Sequence, residues 1–165
     1  MVLREGQVSA VLGPSGCGKT TLGDTLLGLA PPASGQVTWL GRSLDKKRRR
    51  TLRPRFQKLH QDPTTVFPSA RSFGDTLSDL RRLPGEVSGG EAQRIALARL
   101  LVLHPAMLVA DEPCSRLDMP VQAETMALLR GLADEHGLSV LLITHDAQMA
   151  RGVADAALRL RVTSG

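Results

Sequence analysis

The stretch Gly13-Pro14-Ser15-Gly16-Cys17-Gly18-Lys19-Thr20 sets three glycines, a lysine and a hydroxyl residue at a spacing suited to holding phosphate. Glycine lacks a Cβ, so a loop built on Gly13, Gly16 and Gly18 can take positive φ and turn its N–H groups inward around phosphate oxygens. Pro14 and Ser15 complete the loop, and Cys17 contributes its backbone rather than its side chain. Lys19 would then reach the β- and γ-phosphates, the hydroxyl of Thr20 would ligate Mg²⁺, and Thr21 follows in the same helix N-terminus, whose dipole faces the anion. Two further groups complete a chemistry. The apolar run Leu108-Val109-Ala110 leads into Asp111-Glu112, where Asp111 is placed to hold Mg²⁺ through water and Glu112 to polarise an attacking water. His145, just past Leu141-Leu142-Ile143-Thr144, is placed to contact the γ-phosphate.

Ser88-Gly89-Gly90-Glu91 has the S-x-x-E form of a capping box, so Ser88 would cap a helix through Ala98. Its glycines leave the backbone open to a second phosphate. Alone it is a weak motif, since capping boxes open ordinary helices. In company with the phosphate loop and the paired acids it reads as a second nucleotide contact.

Elements must exist to aim these groups. Short apolar runs predict strands at 7–12, 36–40, 55–60, 107–111, 139–144 and 157–161, and amphipathic stretches predict helices at 19–29, 72–82, 89–103, 120–135 and 146–154. Strands alternating with helices argue for an α/β domain with a mainly parallel sheet covered on both faces. Pro63, Pro68 and Pro84 interrupt any long helix between Gln61 and Ser88, which marks the one plausible subdomain boundary.

Composition agrees with one soluble domain. The chain has 165 residues, 42% of them hydrophobic, and no apolar run of the ~18 residues needed to span a bilayer. Cys17 and Cys114 both lie inside the motifs, which is no disulfide framework and fits a reducing compartment. The net charge of +5 comes largely from Lys46-Lys47-Arg48-Arg49-Arg50 with Arg53, Arg55 and Lys58, a run expected to be a solvated loop, with contact to anionic lipid or nucleic acid as the alternative. With no Tyr and 2% aromatics the chain lacks base-stacking platforms, so no nucleic-acid partner is expected.

Taken together, these residues resemble the ATP-binding subunits of ABC transporters, P-loop NTPases in which Gly13 to Thr20 match the Walker A motif, Val87 to Glu91 the signature, Leu108 to Glu112 the Walker B motif, Ser115-Arg116-Leu117-Asp118 the D-loop and His145 the switch histidine. Gln61, in Gln61-Asp62-Pro63, matches the Q-loop. More narrowly, Leu117 to Ala123, Gln61 to Pro63 and Ser34-Gly35-Gln36-Val37-Thr38-Trp39 resemble the dipeptide, oligopeptide and nickel importer branch.

The resemblance implies ATP and Mg²⁺ as ligands, Gln61 as a catalytic and metal-contacting residue, and Ser88, Gly89, Gly90 and Asp118 as nucleotide contacts. It implies a head-to-tail dimer with a second ABC ATPase subunit, identical or not, that works on transmembrane permease subunits at the cytoplasmic face of the membrane. Residues 1–165 would form a single nucleotide-binding domain, with 62–87 the remnant of a truncated helical subdomain. The family's strand and adenine-stacking aromatic upstream of Walker A are not found here, and the interval from Gln61 to Ser88 is shorter than usual. Glu91 stands for the usual Gln, and Cys114 for the usual Thr. Two readings follow: an ATP-hydrolysing subunit of an importer for peptides or a nickel-type metal, and a shortened, uncoupled ATP-binding module. A DNA-repair ATPase of the same family is disfavoured by the lack of zinc-ligand Cys pairs.

Overall fold

The computed structural model describes residues 1–59, 95, 97, 98 and 102–161. From the N-terminus, β1 (Val8–Leu12) runs through the phosphate loop into α1 (Lys19–Leu26). A two-residue hairpin, β2 (Thr38–Trp39) and β3 (Arg42–Ser43), precedes α2 (Lys46–Leu52), and a 3-10 turn at Arg53–Arg55 leads into β4 (Phe56–Leu59). Then come β5 (Met107–Asp111), α3 (Met119–His136), β6 (Ser139–Thr144), α4 (Ala147–Val153) and β7 (Ala156–Arg159).

Five strands pair in the order β4-β5-β6-β1-β7, every pairing parallel. A parallel sheet covered on both faces needs strands that are apolar throughout, and every residue of β1, β5 and β6 is buried. Alternate residues point to opposite faces. Val8, Leu108, Ala110, Val140 and Leu142 pack with Met126, Leu129, Leu132 and Ala133 of α3. Val11, Met107, Val109, Leu141 and Ile143 face the other way, against Leu22, Leu26 and Leu27 on and just after α1.

Helix α1 lies close to that second face because Gly23 permits it. A Cβ there would fall 2.9 Å from Ile143 Cδ1 and 3.0 Å from Val109 Cγ1. Helix α3 ends at Gly137, whose φ of 66° is the left-handed turn that closes a helix C-terminus.

Three expectations require correction. The basic run 46–50 is a helix rather than a solvated loop: the Asp45 carboxylate accepts from Arg48 N at 2.7 Å as an N-cap, Arg48 donates to Trp39 O at 2.7 Å and Arg49 to Gly28 O at 3.0 Å. The expected strand at 36–40 is reduced to Thr38–Trp39, antiparallel to Arg42–Ser43 and outside the main sheet. Helix α1 stops at Leu26 rather than 29, where Gly28 turns the chain with φ 69°.

The other described elements match to within about two residues. Of the helix expected at 89–103, Ile95, Leu97 and Ala98 are helical, with Ile95 and Leu97 in the core. Its remaining residues up to 101, the helix expected at 72–82 and the 62–87 segment lie outside the described residues. Among the described residues no helix is long and apolar enough to cross a membrane.

Candidate functional site

The parallel strands deliver their C-terminal ends to one edge of the sheet, and the described motifs meet there. Gly13 to Gly18 form the loop between β1 and α1, with Gly16 at φ 79° and Gly18 at φ 91°. Gly18 is the N-cap of α1 and offers no side chain, so the helix's first N–H groups stay open to an anion. Lys19 folds back over the loop, 7% exposed, its Nζ donating to Gly13 O at 2.8 Å and Pro14 O at 3.0 Å. Pro14, Ser15, Gly16, Thr20 and Thr21 are exposed, and Cys17 is half-buried.

Next to the loop, β5 presents Asp111. The Thr20 hydroxyl donates to Asp111 Oδ1 at 3.2 Å, so two hard oxygen donors from different elements converge on one point. Mg²⁺ takes such donors, one or two carboxylates completed by water and phosphate oxygens. Among the described residues no cluster of three or more His, Cys, Asp or Glu side chains could form a protein-only cage. The donor set fits a metal that arrives with nucleotide.

Glu112 stands at φ 48°, a left-handed conformation uncommon for a residue with a side chain. Its N–H donates to Ile143 O at 2.9 Å, which holds the turn against β6. The Glu112 carboxylate meets the His145 ring, Nδ1 lying 2.9 Å from Oε1 and 3.0 Å from Oε2. His145 is itself placed by two anchors. Thr144 Oγ1 accepts from Asp146 N at 3.0 Å, and the Asp146 carboxylate caps α4 by accepting from Gln148 N at 2.8 Å and Met149 N at 2.9 Å.

Asp118 is exposed and serves as the N-cap residue of α3 without a side-chain cap bond. The turn between it and Glu112 is stapled by Gln122, whose Nε2 donates to Cys114 O at 3.1 Å and Leu117 O at 2.8 Å. Cys114 lies under this turn. Burial, with a smaller contribution from the Glu112 charge, pushes its thiol up to about 11. Sequence reasoning gave Gln122 no role, although a glutamine four residues into a helix after an Asp N-cap is a signal for such a staple. Gln61, Ser88, Gly89 and Gly90 lie outside the described residues.

The described residues thus set a glycine-rich loop at a helix N-terminus, a Thr–Asp pair and a Glu–His pair on one edge of a parallel sheet. The family model for ABC transporters aligns with residues 1–81 and 71–115. The chain belongs to the ABC transporter family. It is 32% identical over 190 residues to the oligopeptide transport ATP-binding protein OppF of Escherichia coli, covering 94% of this chain and 57% of that protein. It is 35% identical over 195 residues to the peptidoglycan transport ATP-binding protein YejF of Agrobacterium fabrum, covering 98% of this chain and 36% of that one. The chain thus spans little more than half the length of the oligopeptide-transport relative.

Among solved structures, cbiO1 from Clostridium perfringens, part of the ABC transporter complex cbiONQ, superposes with a TM-score of 0.86 at 28% identity, covering 99% of this chain and 78% of that one. The dimeric bacterial ABC transporter cassette MJ0796 superposes with a TM-score of 0.77 at 25% identity, covering 98% of this chain and 84% of its own. These likenesses agree with the P-loop NTPase fold, a mainly parallel sheet flanked by helices.

Proposed function

We propose that the chain is the ATP-binding and ATP-hydrolysing subunit of an ABC importer for peptides. The observation that carries this reading is the Glu112–His145 pair, held within hydrogen-bond distance beside the Thr20–Asp111 pair and the open phosphate loop. Lys19 exchanges its loop carbonyls for phosphate oxygens as nucleotide enters, and the loop N–H groups receive the rest of the phosphate chain. Thr20 and Asp111 would hold Mg²⁺, which supplies neutralisation of the phosphate charge when bound. Glu112 would accept a hydrogen bond from a water and orient its lone pair toward the γ-phosphorus, and His145, whose Nδ1 is on the Glu112 carboxylate, would keep its other ring nitrogen for the γ-phosphate.

The peptide-transport names of the relatives favour peptides over a nickel-type metal as cargo. A dimeric cassette and one that is part of an ABC transporter complex, among the structural neighbours, support a partner ATPase subunit and transmembrane permease subunits, with the chain seated on the cytoplasmic face of the membrane. In that dimer Ser88, Gly89, Gly90 and Asp118 would face the nucleotide of the other subunit, and Gln61 would sense it and its metal.

The reading is tested with Lys19→Ala and with permease-containing membranes. Lys19→Ala should abolish hydrolysis and weaken ATP binding; unchanged affinity and turnover would overturn the phosphate-loop assignment. MgATP should protect half-buried Cys17 from maleimide, and membranes carrying the cognate permease should stimulate turnover. Intact hydrolysis that such membranes leave unaltered would replace the importer by the uncoupled ATP-binding module.

A further inference from the structure

On β4, Phe56 and Lys58 alternate with Gln57 and Leu59, and the register pairs Phe56 with Met107 and Lys58 with Val109. Lys58 therefore occupies a position on the α1 face where its neighbours are apolar. Its side chain is only 12% exposed. A cation so placed is tolerated only with counter-charges, and among the described residues it has two: Nζ lies 2.7 Å from Asp24 Oδ1 on α1 and 3.3 Å from Asp111 Oδ2 on β5. Asp111 is thus clasped on both oxygens, by the Thr20 hydroxyl on one and the Lys58 ammonium on the other.

The charge count of this cluster matters because Asp111 is the carboxylate the metal must use. Asp24, Lys58 and Asp111 sum to one negative charge. Without the ammonium they would sum to two, and without Asp24 to none. A divalent ion beside Asp111 meets the Lys58 charge at short range, and both side chains are only 12% exposed, so solvent screens that interaction less than it would a surface pair.

We propose that Lys58 is a built-in counter-cation of the metal site, and that the Asp24–Lys58–Asp111 cluster sets divalent-metal affinity through its net charge. This rests on the nucleotide-binding reading and deepens it: Lys58 acts on the metal through the Asp111 carboxylate it touches. Asp24 moderates it by drawing the ammonium toward α1, which leaves Asp111 the longer of the two contacts.

The test is a Mn²⁺ titration of the full chain with a non-hydrolysable ATP analogue, reading free Mn²⁺ by electron paramagnetic resonance, with melting curves confirming that each variant is folded. Mn²⁺ shares the preference of Mg²⁺ for oxygen ligands. Lys58→Met should tighten Mn²⁺ binding and Asp24→Asn should weaken it, each on the order of tenfold. Lys58→Arg should stay within about twofold of the unaltered chain, since it keeps the charge. The double variant Lys58→Met/Asp24→Asn restores the cluster to one negative charge and should return the midpoint close to the original, which keeps the inference testable if a single variant does not fold. Weakening in both single variants, or no change in either, would overturn it in favour of a structural ion pair. Absence of nucleotide-dependent Mn²⁺ binding in the unaltered chain would overturn the nucleotide reading and this inference with it; normal binding without the charge ordering overturns this inference alone.

Discussion

On the face of the sheet covered by α3 and α4, the strands contribute Val8, Leu108, Ala110, Val140 and Leu142 to a cluster that takes in Leu129, Leu132, Met149 and Val153. On the face covered by α1, the alternate residues of the same strands are Val11, Met107, Val109, Leu141 and Ile143, and this apolar row gives way to Lys58 and Asp111 at the edge where the phosphate loop turns. One face is dry along its length. The other changes from apolar to ionic within a few residues, and the ionic end holds Lys19, Thr20, Asp24, Lys58 and Asp111. We propose that stability is concentrated on the first face and ligand chemistry at the ionic end of the second, a division that single substitutions can separate.

The largest loss of stability is expected on the dry face. Leu129 is 1% exposed within the α3 cluster, so Leu129→Ala should cost about 2–5 kcal/mol in denaturant unfolding. The folded fraction should still bind ATP with ordinary affinity, and a matching loss of affinity would break the division between the faces. On the α1 face, Gly23→Leu should cost about 1–3 kcal/mol, because even a Cβ there presses on Ile143 and Val109. Here the damage should reach the site: displacing α1 moves Thr20 from Asp111, so ATP binding measured by calorimetry should weaken alongside stability.

A smaller effect concerns Cys114. A thiol pushed up to about 11 by burial keeps its proton in the folded chain after the unfolded chain, near 9, has lost it. Its contribution is therefore complete below pH 9 and declines as pH rises toward 11. The stability difference between the unaltered chain and Cys114→Ala should shift by about 1.4 kcal/mol between pH 7 and pH 10, against the unaltered chain. A pH-independent difference would remove the burial argument.

The smallest effect is at the rim, where Arg130 on α3 donates to Asp155 Oδ2 at 2.8 Å and Gly6 O at 3.0 Å and also pairs with Asp134. Hydrogen bonds from Arg130 and from Val8 N hold the Asp155 carboxyl below its ordinary range. Such a group adds stability above the usual carboxylate range that is lost as pH falls through its lowered value. Arg130→Ala should cost about 0.5–1 kcal/mol near neutral pH, and less in acid.

Much of the site was legible because its chemistry is local in sequence. Gly13 to Thr20 need only a turn and a helix start, and Asp111, Glu112 and His145 each follow an apolar run that could hardly be other than a buried strand. Lys58 was not legible in the same way. It stood among a run of cations and read as solvated, and only the parallel pairing of β4 with β5 brings it to Asp111, 53 positions away in the chain. The helix at 46–52 was missed for a related reason. Five consecutive cations repel one another and carry no apolar stripe, so the pattern favours a loop; the Asp45 cap and the carbonyls of Trp39 and Gly28 reverse that, and all three lie outside the segment, two of them well upstream. The compact β2–β3 hairpin turns at Leu40 and Gly41 with φ 50° and 72°, a geometry that an apolar residue at the first position conceals.

The most direct measurement is single-turnover hydrolysis of ATP by the unaltered chain and by Glu112→Gln, with nucleotide retention followed in the same samples. The Glu112 carboxylate, positioned by His145 and by the Ile143 carbonyl, is proposed to orient the attacking water. Glu112→Gln keeps the side chain's shape and removes its charge, so it should retain bound ATP while the rate of γ-phosphate release falls by about 10²-fold or more. Equal release rates in the two proteins, both above background, would contradict the account.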